Sequence, residues 1–132
     1  MGRTQAVYYR DRDRRQPVRE ALLALPDAHR TAILRQIVNL NGHDAADPPP
    51  AFPATSHVSG GLRELRCHAG RHAYRLLYRR SGNLIVLLHV FPKAERAIPP
   101  AEIRIAERRW EDLRDRMEHG RRGPRPLGGD AP

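Results

Sequence analysis

Cysteine is almost absent from this sequence, and its scarcity excludes two kinds of structure. The chain contains a single cysteine, Cys67. It therefore cannot form an internal disulfide, and it cannot build a zinc site from several cysteines. We expect a buried, unreactive thiol, because catalytic use would require a nearby base, and the adjacent His68 would point to the opposite face of a strand.

Long apolar runs and metal-binding patterns are also missing. No apolar segment approaches the roughly 18 residues that cross a bilayer, and residues 1–15 lack the apolar core of a signal peptide. The histidines are scattered without carboxylates at ligand spacing, and there is no glycine-rich phosphate loop. We therefore expect a cytoplasmic protein with no membrane partner, no metal, no cofactor and no small-molecule ligand.

Lysine is nearly absent as well. Of the 24 basic residues, all but Lys93 are arginine. Such a replacement, with abundant alanine and proline, is typical of the codon bias of a G+C-rich genome, so a single arginine is weak evidence for a site. The net charge of +9 and the pI of about 11.1 are stronger evidence. They favour a polyanionic partner, either nucleic acid or an acidic protein, over an anionic membrane surface.

The N-terminal half predicts one strand and two helices. Residues 6–10, AVYYR, have the β-branched and aromatic character of a strand, which we place at the edge of a sheet. Residues 17–25 and 28–42 carry apolar stripes at helical spacing and predict a helical hairpin. Residues 43–61 are rich in proline and predict an extended connector without regular structure.

The C-terminal half predicts an antiparallel meander and a helix. Residues 62–68, 72–80 and 83–91 are strand-like and are separated by short turns. The third run is apolar on both faces, so it belongs in the centre of the sheet. A helix opens at Pro99 and Pro100.

Together these elements predict a single α+β domain over residues 1–118, followed by a disordered basic tail over residues 119–132. Its order is an N-terminal strand, a helical hairpin, a three-stranded antiparallel meander and a C-terminal helix. We expect the helices to cover one face of the sheet and to leave the other face open and basic.

Four short motifs in this part of the chain resemble the phage-derived HigB-like branch of the RelE/ParE toxin superfamily, the toxins of type II toxin–antitoxin pairs. The resemblance spans about residues 60–113, and its motifs are Gly61–Arg66, Tyr74–Tyr78, Leu87–Lys93 and Pro99–Ile103. It implies a RelE-like fold and, for most HigB-like members, cleavage of mRNA on the ribosome. It also implies neutralisation by a small antitoxin, usually a helix-turn-helix protein encoded beside the toxin.

Two other functions remain open at this stage. ParE-type relatives share the fold but inhibit DNA gyrase and cleave nothing, so the fold does not decide the function. A phage-remnant nucleic-acid-binding protein without toxicity is the third alternative.

Cleavage of RNA by the 2′-OH needs a proton acceptor, stabilisation of charge at phosphorus and a proton for the leaving oxygen. We predict Arg75, Lys93 and Arg96 as the catalytic residues. Arginine binds two phosphate oxygens at once, and the ammonium of Lys93 can also pass a proton, although its one codon can equally have survived by chance.

The resembled family usually has a second lysine directly after the first, where this chain has Ala94. Either Arg96 supplies the missing charge, or catalysis is weakened, or the pair serves antitoxin contact.

Further strand residues are predicted to bind RNA. Alternation along residues 72–80 puts Arg75 and Arg79 on one face, where Arg66 can join them, although an ordinary solvated strand end is the favoured alternative for Arg79. Tyr78 either stacks a base or belongs to the core, and His89 either transfers protons or is an ordinary core histidine. The predicted RNA-binding residues are Arg63, Arg66, Arg71, Tyr78, Arg79 and His89.

Overall fold

The protein folds into a mixed sheet with three helices in the computed structural model, which describes residues 2–51, 53–119 and 127–131. The α+β fold class predicted from the sequence is confirmed. The elements are β1 (Gln5–Tyr9), α1 (Pro17–Leu23), α2 (Asp27–Val38), β2 (Thr55–Ser59), β3 (Leu62–Ala69), β4 (His72–Ser81), β5 (Leu84–Pro92), α3 (Pro100–His119) and β6 (Leu127–Asp130).

The described strands form one sheet in the order β2-β3-β4-β5-β1-β6. The predicted meander of β3, β4 and β5 is present, and β5 lies inside the sheet as expected. Strand β1, however, is not an edge strand. It pairs in parallel with β5, where Val7 lies opposite Val86, and antiparallel with β6, where Tyr9 lies opposite Leu127. The edge prediction is wrong because a strand from the C-terminal tail covers the outer side of β1.

Strand β6 also corrects the prediction of a disordered tail, which is wrong for Leu127–Asp130. Glycine suggested disorder, but here it permits close approach of two backbones. A Cβ atom at Gly128 would lie 2.8 Å from the carbonyl oxygen of Tyr8. Residues 120–126 and 132 of the predicted tail lie outside the described residues.

The proline-rich connector contains a strand as well, so the prediction of no regular structure over residues 43–61 is wrong for Thr55–Ser59. This strand begins after Pro53, where the backbone again has free N–H groups for a ladder. It pairs antiparallel with β3, and Thr55 lies opposite Leu65.

The helices pack on both faces of the sheet. Helices α1 and α2 bury Val18, Leu22, Ile33 and Ile37 against one face. Helix α3 contributes Ala106 and Leu113 to a second apolar cluster on the other face, and the prediction of one open face is therefore wrong. The reason is that β5 is apolar on both sides, so both sides must be shielded from water. Among the described helices, none has the length and apolar character needed to span a bilayer.

A β-bulge in β5 changes which side chains face α3. Leu77 lies opposite His89, but Tyr78 lies opposite Leu87, so Leu88 is the extra residue. Leu88 packs with the α3 cluster, and the ring of His89 contacts Glu102 of the same helix. Strict alternation would have put His89 on the opposite face from Leu88.

Candidate functional site

A buried ion pair between β3 and β4 forms the base of the candidate site. The Nη1 atom of Arg75 donates to Oε2 of Glu64 at 2.5 Å, and the two residues are 4% and 1% exposed. The other carboxylate oxygen, Oε1, accepts hydrogen bonds from Nε of Arg66 at 2.9 Å and from the hydroxyl of Ser56 at 3.2 Å. These donors offset the cost of burying the charge of Glu64.

The same arginine anchors the loop that follows β5. Its Nη2 atom donates to the carbonyl oxygens of Glu95, at 2.9 Å, and Arg96, at 2.6 Å. The backbone N–H of Lys93 donates to the carbonyl oxygen of Ala73 at 2.9 Å. Arg75 therefore holds the loop that carries Lys93 and Arg96, and its guanidinium is occupied by groups of the protein itself.

Three of the predicted residues, Arg66, Arg75 and Lys93, line a cavity of about 340 Å³, which we call the cationic cleft. Lys93 is exposed, and its ammonium has no hydrogen-bond or ion-pair partner among the described residues. The side chain of Arg66 is 35% exposed. The cleft thus combines one accessible ammonium with the partly exposed guanidinium of Arg66, an arrangement that suits a phosphate, while Arg75 is engaged within the protein.

Arg96 and Arg71 lie outside the lining of the cleft. Arg96 is exposed on the anchored loop. Arg71 lies in the turn between β3 and β4 and lines a separate cavity of about 400 Å³ together with His29 and His72. The rings of these two histidines are 4.5 Å apart, and Nδ1 of His29 lies 2.7 Å from the hydroxyl of Tyr74.

Arg63 and Tyr78 belong to the side of the sheet that packs on α1 and α2. The Nε atom of Arg63 donates to the hydroxyl of Tyr78 at 3.3 Å, and its Nη2 atom donates to Oγ1 of Thr55 at 2.9 Å. Tyr78 is 1% exposed and is part of the core. A base could stack on its ring only after rearrangement, so the structure agrees with the core alternative.

Arg79 and His89 face α3 instead. The guanidinium of Arg79 lies over the ring of Trp110 at 4.7 Å, a cation–π contact. The ring of His89 stacks on Phe91, with 5.1 Å between centroids. Neither residue is among those that line the cationic cleft.

The two nitrogens of His89 both have partners, which defines its tautomer. Nη1 of Arg109 lies 3.3 Å from Nδ1 and can only donate, so Nδ1 accepts and Nε2 carries the proton. Nε2 then donates to Oε2 of Glu102 at 2.8 Å. Burial, with a smaller contribution from the charge of Arg109, lowers the pKa of His89 although Glu102 opposes the shift. A neutral, fully bonded ring is poorly suited to exchange protons with a substrate.

Cys67 is buried at the wall of the cleft, as expected. Burial, and then the charge of Glu64, raises the pKa of its thiol to about 12. The thiolate is the nucleophilic form of cysteine, so this thiol is unreactive near neutral pH.

Glu64 is the site residue that the sequence interpretation missed. A signal was present, because Glu64 and Arg66 are two positions apart in a predicted strand and must share a face. The sequence pattern did not indicate that Glu64 is buried, because only the pairing of β3 with both neighbouring strands buries this carboxylate. Across the described ranges, no group of three or more His, Cys, Asp and Glu side chains is arranged to hold a metal ion.

Comparison with known proteins identifies a family. No curated protein matches the chain. Residues 20–111 match the family described as phage-derived Gp49-like proteins (DUF891), which is associated with the toxins of toxin–antitoxin systems. The matched region runs from α1 into α3 and contains every described residue of the cationic cleft named above. The chain therefore belongs to the phage-derived Gp49-like family.

Proposed function

We propose that this protein is the toxin of a type II toxin–antitoxin pair and a metal-independent endoribonuclease that cleaves mRNA on the ribosome. The observation that carries the proposal is the cationic cleft on a chain of a toxin-associated family. Its proposed partners are the ribosome with its mRNA, in the cytoplasm, and a cognate helix-turn-helix antitoxin that neutralises it.

The positions of the predicted catalytic residues in the cleft support a different role for each of them. Lys93 is the accessible cation, and it meets the scissile phosphate and supplies a proton to the leaving oxygen. Arg66 adds a second positive charge from β3. Arg75 is 4% exposed and binds the loop backbone, so its role is to position Lys93 and Arg96.

Arg96 is the candidate to replace the second lysine that the HigB-like pattern has at Ala94. Its carbonyl oxygen is held by Arg75, while its side chain is exposed on the same loop as Lys93. A flexible arginine on an anchored backbone can reach a phosphate bound at Lys93, because its side chain is long and its fork can bind two oxygens.

A non-enzymatic toxin of ParE type is the second candidate, and one observation favours it. Glu64, Arg75 and His89 are all occupied by partners within the protein, which is more typical of a binding surface than of a poised catalytic set. Such a toxin would inhibit DNA gyrase and leave mRNA intact.

The test measures whether the purified protein cleaves ribosome-bound mRNA. Two variants are compared with the wild type. We expect cleavage by the wild type and a loss of about a hundredfold in rate for Lys93→Ala, since removal of one donor to a developing charge typically has this effect. Arg104→Ala removes the same charge from an exposed position on α3 and should cleave like the wild type. Intact mRNA on toxin-bound ribosomes would overturn the proposal, and gyrase inhibition would then establish the second candidate.

A further inference from the structure

The predicted catalytic residues are all cations, so the cleavage proposed above still requires a proton acceptor. The titratable residues that line the cationic cleft are Arg66, Cys67, His68, Tyr74, Arg75 and Lys93. Arginine and lysine are protonated at neutral pH and cannot accept a proton. The remaining candidates are one thiol, one phenol and one imidazole.

Two of these three are excluded by their surroundings. The thiol of Cys67 is buried and holds its proton up to a pKa of about 12. The hydroxyl of Tyr74 lies 2.7 Å from Nδ1 of His29 and is engaged away from the cleft. The imidazole of His68 is exposed and has no side-chain partner among the described residues.

The backbone of His68 is held in place by a side chain from α2. The register of β2 with β3 ends at Leu65, and a last backbone hydrogen bond joins the N–H of Arg66 to the carbonyl oxygen of Ala54. Beyond this point β2 leaves the outer edge of β3 open, at His68. The amide of Gln36 occupies this edge: its Nε2 donates to the carbonyl oxygen of His68 at 2.9 Å, and its Oε1 accepts from the N–H of His68 at 2.9 Å. Nε2 of Gln36 also donates to the carbonyl oxygen of Ala32 at 2.9 Å. This hydrogen bond fixes the amide of Gln36 against its own helix, α2.

The charged residues that line the cleft together with His68 are cations. They are Arg66 on β3, Arg75 on β4 and Lys93 after β5. The buried carboxylate of Glu64 pairs with both arginines. Gln36, which packs against His68 from α2, is neutral. Imidazole is the side chain that ordinarily exchanges a proton near physiological pH, which is the property that a proton acceptor needs.

We propose that His68 is the proton acceptor of the RNA cleavage reaction, an inference that rests on the proposed function. Its imidazole takes the proton of the 2′-OH while the 2′-oxygen forms a bond to phosphorus. The bond between phosphorus and the 5′-oxygen breaks, and the leaving oxygen takes a proton from the ammonium of Lys93. The products are a 2′,3′-cyclic phosphate and a 5′-hydroxyl, and both side chains recover their starting protonation by exchange with solvent.

The experiment measures single-turnover cleavage of ribosome-bound mRNA by His68→Ala between pH 5.5 and 8.5, with and without added imidazole. We expect a loss of about a hundredfold or more in rate with unchanged binding to ribosomes, because a positioned base contributes this much. Free imidazole should restore part of the rate. We expect the wild-type rate to fall toward acid pH, and this fall should be absent from the variant without imidazole.

The matched control is His57→Ala, which removes an exposed histidine from β2 whose ring contacts the carbonyl oxygen of Gly60 outside the cleft. It should cleave like the wild type. A rate for His68→Ala within about threefold of wild type, or a large loss that imidazole does not relieve, would overturn the assignment. Failure of the wild type to cleave refutes the proposed function itself, so the two failures are distinguishable.

Discussion

At the scale of a single residue, the contacts of Arg75 differ from those that its motif predicted. As one arginine in a strand, it was a reasonable clamp for a phosphate. In the structure its guanidinium bonds to Glu64 and to two carbonyl oxygens of the Lys93 loop. Arg75 thus holds the backbone of the loop that carries Lys93, and under the proposed function its removal should change stability and activity together.

We therefore predict that Arg75→Ala destabilises the protein by about 3 kcal/mol, because it leaves the buried carboxylate of Glu64 without its main partner. Urea unfolding of Arg75→Ala, Glu64→Leu and the double variant measures this. The double variant should lose clearly less stability than the sum of the single variants, since it removes both charges at once. A stability of Arg75→Ala equal to that of the wild type would contradict the role given to this pair.

At the scale of elements, the C-terminal half was predictable because its strands carry strong periodic signals and short turns. The meander and the helix after Pro99 follow from residues close together in the chain. Strands β2 and β6 were not predictable in the same way. Each is short and polar or glycine-rich, and each becomes a strand only because a neighbouring edge, of β3 or of β1, provides hydrogen-bond partners.

Gly128 offers a direct test of β6. Gly128→Ala should destabilise the protein by about 1–3 kcal/mol, because its Cβ would crowd the backbone of Tyr8 and force β6 away from β1. Denaturant unfolding gives the stability, and hydrogen exchange should be faster in β1. Gly129→Ala is the matched control, since nothing lies within 4 Å of a Cβ at that position. Equal stabilities of the two variants would argue against the pairing of β6 with β1.

The carboxylate of Asp112 joins α3 to β1 and to the segment that follows it. This carboxylate accepts hydrogen bonds from the hydroxyl of Tyr9 at 2.6 Å, Nε of Arg12 at 2.7 Å and Nη2 of Arg116 at 2.7 Å. Burial acts to raise the pKa of Asp112, but these hydrogen bonds outweigh it and lower the pKa below its ordinary value of 3.8. A lowered pKa means that Asp112 stabilises the fold above its unfolded pKa and loses this contribution as the pH falls through its folded pKa.

We predict that Asp112→Asn lowers the free energy of unfolding at pH 7 by about 1–3 kcal/mol. The difference from wild type should shrink as the pH falls below the ordinary value of 3.8 and through the lowered pKa of the folded state, where the folded carboxylate becomes protonated. Thermal unfolding from pH 7 to pH 2.5 measures both effects. Glu111→Gln, an exposed neighbour on α3, should show neither. A constant difference across this range would contradict the linkage.

At the scale of the whole molecule, the net charge of +9 predicts salt-dependent binding to RNA, whatever reaction follows. The affinity for a single-stranded RNA should fall as salt rises, with a slope of about 0.7 on logarithmic axes for each phosphate neutralised. Lys93→Ala should reduce that slope by about 0.7, and Arg104→Ala should leave it unchanged. Filter binding over a range of salt concentrations measures the slopes. An unchanged slope for Lys93→Ala would remove Lys93 from the RNA interface.

The sequence by itself determined the fold class, the central meander and the basic character. These properties depend on local periodicity, on turn residues and on the summed charge of the chain, none of which requires knowledge of contacts between distant segments. Only the tertiary structure decided that α3 covers the second face of the sheet, that β6 closes its edge and that Glu64 binds Arg75. The contacts of α3 and β6 join segments far apart in the chain. Glu64 and Arg75 lie on neighbouring strands, but burial, which no local pattern shows, makes them a pair that holds the loop after β5.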